Sequence, residues 1–283
     1  MNLAAPATDA TRMEVSLEFR SFGEWMAWLR DNAWAIDGKH IANIVGDIRR
    51  GGLIDPLWGY IPPDKIDAGN ANYREGLIAE RMNSRLRAVC LALVEEMLVK
   101  GPQLSVYASE WVSPFANVMR KFVAYQGSEY LPKPEDRAKH PEIRHEDVMA
   151  TTFADGSFDA YITNEVLEHV PIVEAALLEA NRILAPGGLF FGTFPMAYAS
   201  ATTVRKAELR NGQIIHLTEP EYHGNPIDPS GGSLVFNIPA WDILDQARKV
   251  GFSDPHLRFV SSRRHGILGS EVAGILLFVA RKS

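Results

Sequence analysis

The 283-residue chain carries a formal net charge of −6, with 46% apolar and 23% charged residues and a single cysteine, Cys90. These values fit a globular protein with one large domain, or a core domain with an added piece. They argue against nucleic acid as the main partner, because phosphate binding calls for a basic surface, and one cysteine excludes an internal disulfide.

No apolar run reaches the roughly 18 residues of a membrane span. The opening MNLAAPATDATRMEV lacks the basic-then-apolar order of a signal peptide, so a cytoplasmic protein with a frayed N-terminus is expected. The first hundred residues read as helical and irregular, with GGLIDPLWGYIPPDK broken into a loop by Gly and Pro. Ile78, Met82, Leu86, Val89, Leu93 and Met97 recur at helical spacing and predict one helix from about Asn72 to Val99, ended by Gly101-Pro102. Cys90 falls in that pattern as a packed core thiol.

Short apolar runs then alternate with helices. Strands are predicted at Leu104–Ala108, at Val123–Tyr125 leading into GSEYL, at IRHEDV, at FDAYIT, at LFFGTF after Pro186-Gly187-Gly188, and near HLRFV and GILLFVA. Helices are predicted at Pro114–Phe122, about Pro171–Leu184 and Trp241–Val250, the last closed by Gly251. Such alternation implies crossover connections and a largely parallel sheet. Residues 196–238 form a long irregular insertion centred on YHGNPIDPSGG, and a loop of that length suits a lid or binding element.

Residues 145–195 hold Glu146-Asp147, a turn through Phe153 to Gly156, Ser157-Phe158-Asp159, Glu168-His169, Arg182-Ile183-Leu184 and Pro186-Gly187-Gly188, in that order. The series resembles the class I S-adenosylmethionine-dependent methyltransferases, in particular the type 11 branch. The resemblance implies an α/β, Rossmann-like fold with a mostly parallel seven-stranded sheet and helices on both faces. A helical addition would occupy residues 1–100, and the S-adenosylmethionine-binding domain residues 101–283.

The resemblance also implies a cofactor map. Glu129, in GSEYL, would hold the ribose hydroxyls and Asp147 the adenine amine. Val148 would offer a backbone N–H and an apolar surface, and Asn164 would face the sulfonium region. In open α/β sheets such groups lie beyond the carboxyl ends of the strands. One departure is plain: where the family has a glycine-rich loop, this chain has Tyr107-Ala108-Ser109-Glu110, with Ser113-Pro114 starting the next helix. Glu110 then stands to pair with the methionyl ammonium, and the Ser109 hydroxyl to replace a backbone contact. The spacing Y-x-S-E-x-x-S-P before GSEYL is similar to that of a bacterial type 11 variant.

Methyl transfer asks the protein to position the acceptor and remove its proton. His223, beside Gly224 in EPEYHGNP, is the candidate base, with Tyr222 and Glu221 next to it and His216 behind them. Trp241-Asp242 is a candidate for the acceptor pocket, and Glu168-His169 for organising the turn into the following helix. His140, His145 and His169 share no helix face, so no metal site is expected. The implied activity is methylation of a small molecule or glycan precursor. A scaffold that binds the cofactor without transferring methyl is the alternative. An NAD-type dehydrogenase is disfavoured by the missing G-x-G-x-x-G. The helices before residue 100 either cover the acceptor cleft or form a homodimer contact.

Overall fold

The computed structural model describes residues 13–283; the frayed N-terminus expected for the first residues lies outside them. A seven-stranded sheet is built from β1 (Glu14–Phe19), β2 (Ser105–Ala108), β3 (Ala124–Gly127), β4 (Phe158–Asn164), β5 (Leu184–Thr193), β6 (Phe252–Ser262) and β7 (Ile275–Lys282). The strands lie in the order β1-β6-β7-β5-β4-β2-β3. β2 pairs parallel with both β3 and β4, and β4 with β5. β7 joins β5 antiparallel and β1 joins β6 antiparallel. The predicted α/β class with a parallel core is what forms.

The seven strands differ from the predicted set by one exchange. IRHEDV makes only an isolated parallel bridge, Glu129 to His145. Its place in the count is taken by β1, read as part of a helical region. As an edge strand β1 buries only Phe19, so its apolar signal is weak.

The chain divides into two compact units. One comprises the described residues up to Phe19, Gly23–Val99 and Leu257–Leu277. It contains most of α1 (Phe22–Asp31), together with α2 (Gly38–Gly51) and α3 (Ser84–Lys100). α3 starts twelve residues later than the predicted helix. Glu80 (φ 48°) and Arg81 (φ 66°) both adopt the left-handed region, and the turn closes with Ala79 and Met82 exchanging backbone hydrogen bonds. Left-handed conformation at both central positions is hairpin-turn geometry usually signalled by Asn or Gly, which this stretch lacks. Asn83 then caps α3 by accepting from the Leu86 amide at 2.8 Å.

Arg87 of α3 is fully buried. Its guanidinium donates to the carbonyls of Met82 (2.7 Å), Leu77 (3.0 Å), His265 (2.9 Å) and Gly266 (2.6 Å). Burial lowers its pKa to about 10, against the raising effect of Asp55. A Cβ on Gly266, which has φ +60°, would meet Leu53 Cδ2 at 2.7 Å.

The second unit comprises Arg20–Phe22, Lys100–His256 and Phe278–Ser283. It holds β2 to β5, α4 (Pro114–Met119), α5 (Val173–Ile183) and α6 (Ile243–Lys249). Most of β4 and the second half of β5 are buried, the near-continuous apolar pattern of a strand covered on both faces. Tyr107, Phe153, Phe158 and Tyr161 form an aromatic cluster with centroids 4.6 to 5.4 Å apart. Residues 196–238 form short antiparallel ribbons, including Tyr222–His223 against Ser233–Leu234. Among the described residues no helix is long and apolar enough to cross a membrane.

Replacing Arg87 with Met should cost about 3 kcal/mol or more, because buried carbonyls are stranded at roughly 1–3 kcal/mol each. Urea unfolding measures it; an unchanged midpoint would show that water can replace the guanidinium.

Candidate functional site

β2 lies between β3 and β4, so the chain leaves β2 where the sheet's order reverses, and the carboxyl ends of strands at such a point are where open α/β sheets bind ligands. Ser109 and Glu110 follow β2, Glu129 follows β3, and Asn164 ends β4. The structure brings these together. Asn164 Nδ2 donates to Glu110 Oε1 at 2.6 Å, linking the ends of β2 and β4. Asn164 Oδ1 and Ser109 Oγ are shut off from solvent and have no hydrogen-bond partner.

The glycine-free loop is held by side chains. Glu129 Oε1 accepts from the amides of Trp111 (2.7 Å) and Val112 (3.1 Å). Burial raises the Glu129 pKa, and these two amides oppose the rise. Tyr125 donates its hydroxyl to Glu110 O at 2.6 Å, and Arg120 reaches Trp111 O at 2.7 Å. The Arg120 guanidinium also lies 3.9 Å from the centre of the Trp111 ring. Ser113 caps α4 by accepting from Ala116 N, and Pro114 takes the first turn, as the sequence suggested. Sequence reasoning gave Glu129 a ribose role alone and missed its hold on the loop.

The acidic dipeptide splits. Glu146 is buried and tied to Arg144 Nε (2.5 Å), Thr152 N and Thr152 Oγ1. The Asp147 carboxylate accepts from the amide of Met149, at 2.9 Å, and the residue is half-exposed; Val148 beside it is buried.

A second group of residues follows β4. Glu168 is fully buried, and neither carboxylate oxygen has a hydrogen-bond partner. His169 Nε2 and His223 Nδ1 each lie 3.6 Å from Glu168 Oε1. His169 Nδ1 donates to Leu234 O at 2.9 Å. His223 Nε2 lies 3.3 Å from Glu221 Oε1, and Glu221 is paired with Lys206. The His223 pKa is raised, first by Glu168 and then by Glu221. Of the histidines that the sequence set apart, His145 accepts from the Leu131 amide, whereas His169 meets Glu168 and His223. Spacing could not show this, because 54 residues separate His169 from His223.

The remaining candidates are apart. Tyr222 is exposed, and His216 ends an exposed ribbon strand. Trp241 is a core anchor bonded to Tyr198 O. Asp242 holds the Thr203 amide and hydroxyl and lines a cleft with Ile172, Arg205 and Gln246.

Residues 107–192 match the family model described as "Methyltransferase domain". An arsenite methyltransferase of Aquipseudomonas alcaligenes is 33% identical over 113 residues, which are 40% of this chain and 27% of that protein. The chain thus matches about a quarter of that relative's length. Similar solved structures include an S-adenosylmethionine-dependent methyltransferase from Mesorhizobium loti, with TM-score 0.45, 16% identity, and coverage of 68% of this chain and 97% of that one. Another is the Burkholderia thailandensis 1,6-didemethyltoxoflavin-N1-methyltransferase with bound 1,6-didemethyltoxoflavin and S-adenosylhomocysteine, with TM-score 0.37, 16% identity, and coverage of 66% and 74%. Residues 107–192 are thus a methyltransferase domain of the S-adenosylmethionine-dependent kind.

Proposed function

We propose that the chain methylates an oxygen or nitrogen of a small molecule or glycan precursor. The observation that carries this reading is the convergence of Ser109, Glu110, Glu129 and Asn164 at the strand ends, with Ser109 Oγ and Asn164 Oδ1 buried and unpartnered. Such oxygens are costly unless a ligand completes them, so these strand ends suit a polar, cationic group. When bound, S-adenosylmethionine supplies an electrophilic methyl group on its sulfonium.

In this reading the second carboxylate oxygen of Glu129 takes the ribose hydroxyls while the first keeps the loop in place. Asp147 takes the adenine amine against the apolar side of Val148. Glu110 and Ser109 hold the methionyl end, and Asn164 sits nearest the reacting centre. On the acceptor side, His223 stands to receive the acceptor's proton, with Tyr222 next to it in the same ribbon. The arsenite methyltransferase acts, by its name, on a small acceptor. Arsenic itself fits poorly here, because it is soft and calls for thiolates, and the one cysteine is buried in α3. The net negative charge of the chain also favours a small acceptor over nucleic acid.

Calorimetric titration with S-adenosylmethionine tests the cofactor map. Asp147→Ala should weaken binding roughly tenfold or more, the loss of a hydrogen bond to a charged group. The pH response of Glu129 gives a second reading. Its folded pKa lies above the ordinary 4.5, so the ionised acceptor is lost as pH falls through that raised value. Affinity should decline there, and Glu129→Gln should abolish the step. For stability the sign is opposite: the protonated form is favoured in the fold, a contribution present at low pH and lost as pH rises through the folded pKa. Unchanged affinity in both variants, with no pH step, would overturn the map.

His223→Ala should lower kcat by roughly 10²-fold or more while leaving cofactor affinity within about twofold. Full turnover in that variant would remove His223 from the acceptor side.

A further inference from the structure

We propose that Glu168, His169 and His223 bind a divalent transition-metal cation. The residues offer one carboxylate oxygen and two ring nitrogens, all within 4.8 Å of one another. The first argument is burial. Glu168 is 0% exposed and neither of its oxygens accepts a hydrogen bond. An isolated buried carboxylate is strongly disfavoured unless it is paired or coordinates a metal.

The second argument is where the protons sit. His169 Nδ1 faces a carbonyl, Leu234 O, which can only accept, so Nδ1 carries the hydrogen and Nε2 presents its lone pair toward Glu168. For His223, Nε2–H donates toward Glu221, so in the neutral ring the lone pair of Nδ1 faces the same Glu168 oxygen. In the neutral rings two lone pairs thus face one carboxylate oxygen, each 3.6 Å from it and too far for a hydrogen bond. Ligand atoms about 2.0–2.1 Å from a tetrahedral cation are about 3.4 Å apart, so one shared cation resolves all three contacts.

The third argument is the surroundings. A histidine that ligates through one nitrogen and donates from the other to a carbonyl or carboxylate is the usual outer arrangement of a metal site, and both histidines have it. Their side chains keep partial exposure, 19% and 31%, which leaves open positions on the solvent side for water or another oxygen. Two imidazoles with one carboxylate favour Zn²⁺, Mn²⁺ or Fe²⁺ over Mg²⁺, which prefers oxygen ligands.

This site deepens the proposed acceptor chemistry and rests on that reading only for its role. With the cation bound, His223 acts by holding it rather than by taking a proton, and an open position takes an oxygen of the acceptor. Binding itself is testable without cofactor, acceptor or turnover. The full-length protein, dialysed against EDTA and then freed of chelator, is titrated with ZnCl₂ and MnCl₂ by calorimetry. It is also titrated with CoCl₂, whose visible absorption reports nitrogen and oxygen ligation.

One cation per chain is expected, with affinity lowered at least tenfold in Glu168→Gln, His169→Ala and His223→Ala and unchanged in His216→Ala. Thermal unfolding, run in parallel, should show the cation raising the melting temperature of the parent chain and not of the three variants. A parent chain that binds no cation, or binds it equally well in all three variants, overturns the site. Cation binding without methyl transfer would instead overturn the proposed function and leave the site standing.

Discussion

One carboxylate oxygen of Glu129, accepting from the amides of Trp111 and Val112, holds the turn after β2 in place. A partly buried loop at the end of an interior strand must have its amides satisfied, because buried N–H groups left unpaired are costly. Around it, Ser109 N bonds Ile162 O on β4, Tyr125 donates to Glu110 O, and Arg120 donates to Trp111 O. Each contact runs from a side chain or strand into the loop. The loop is therefore stiffened from outside, where a glycine-rich turn would achieve close approach through its own backbone freedom.

That substitution moves the need for glycine elsewhere. On β3, a Cβ at Gly127 would meet Glu110 O at 2.5 Å and Tyr125 Cε1 at 2.8 Å. The close backbone approach has shifted from the loop to the strand beside it. Glu129 lies two residues further on, so the same short segment makes room for the loop and anchors it. In the proposed cofactor map this couples the ribose-binding acid to the methionyl end: moving β3 would disturb both.

The parallel core was legible because FDAYIT and LFFGTF are continuous apolar runs, and only strands buried on both faces read that way. Ser113-Pro114 announced α4 through cap chemistry. β1 was not legible, since an edge strand with one buried side chain differs little from a loop. The false extension of the helix back to Asn72 has a comparable cause: Ile78 and Met82 continue the apolar spacing, and the left-handed pair Glu80 and Arg81 carries none of the residues that usually mark such a turn. Around the candidate site, Ser109, Glu110, Glu129 and Asn164 could be placed at the strand ends from position alone. The meeting of His169 with His223 could not, because it depends on how the insertion folds.

The insertion is more than a covering loop. Its ribbon pairs Tyr222 with Leu234 and His223 with Ser233, and Gly232, at φ +68°, gives the space that His223 O would deny a side chain. The ribbon that delivers His223 to Glu168 also presents Leu234 O to His169, and just beyond it the amide of Phe236 binds Glu168 O at 2.8 Å. One element thus supplies one ring and orients the other around a carboxylate that has no hydrogen bond. A lid held only by packing would have no need to bury that charge; a polar residue there would be satisfied by nearby backbone, as Asn237 is by donating to Val170 O. The buried Glu168, with no hydrogen bond to either oxygen, is the reason to read residues 196–238 as part of the chemistry, since its burial is favourable only when positive charge, on a protonated ring or a bound cation, stands beside it.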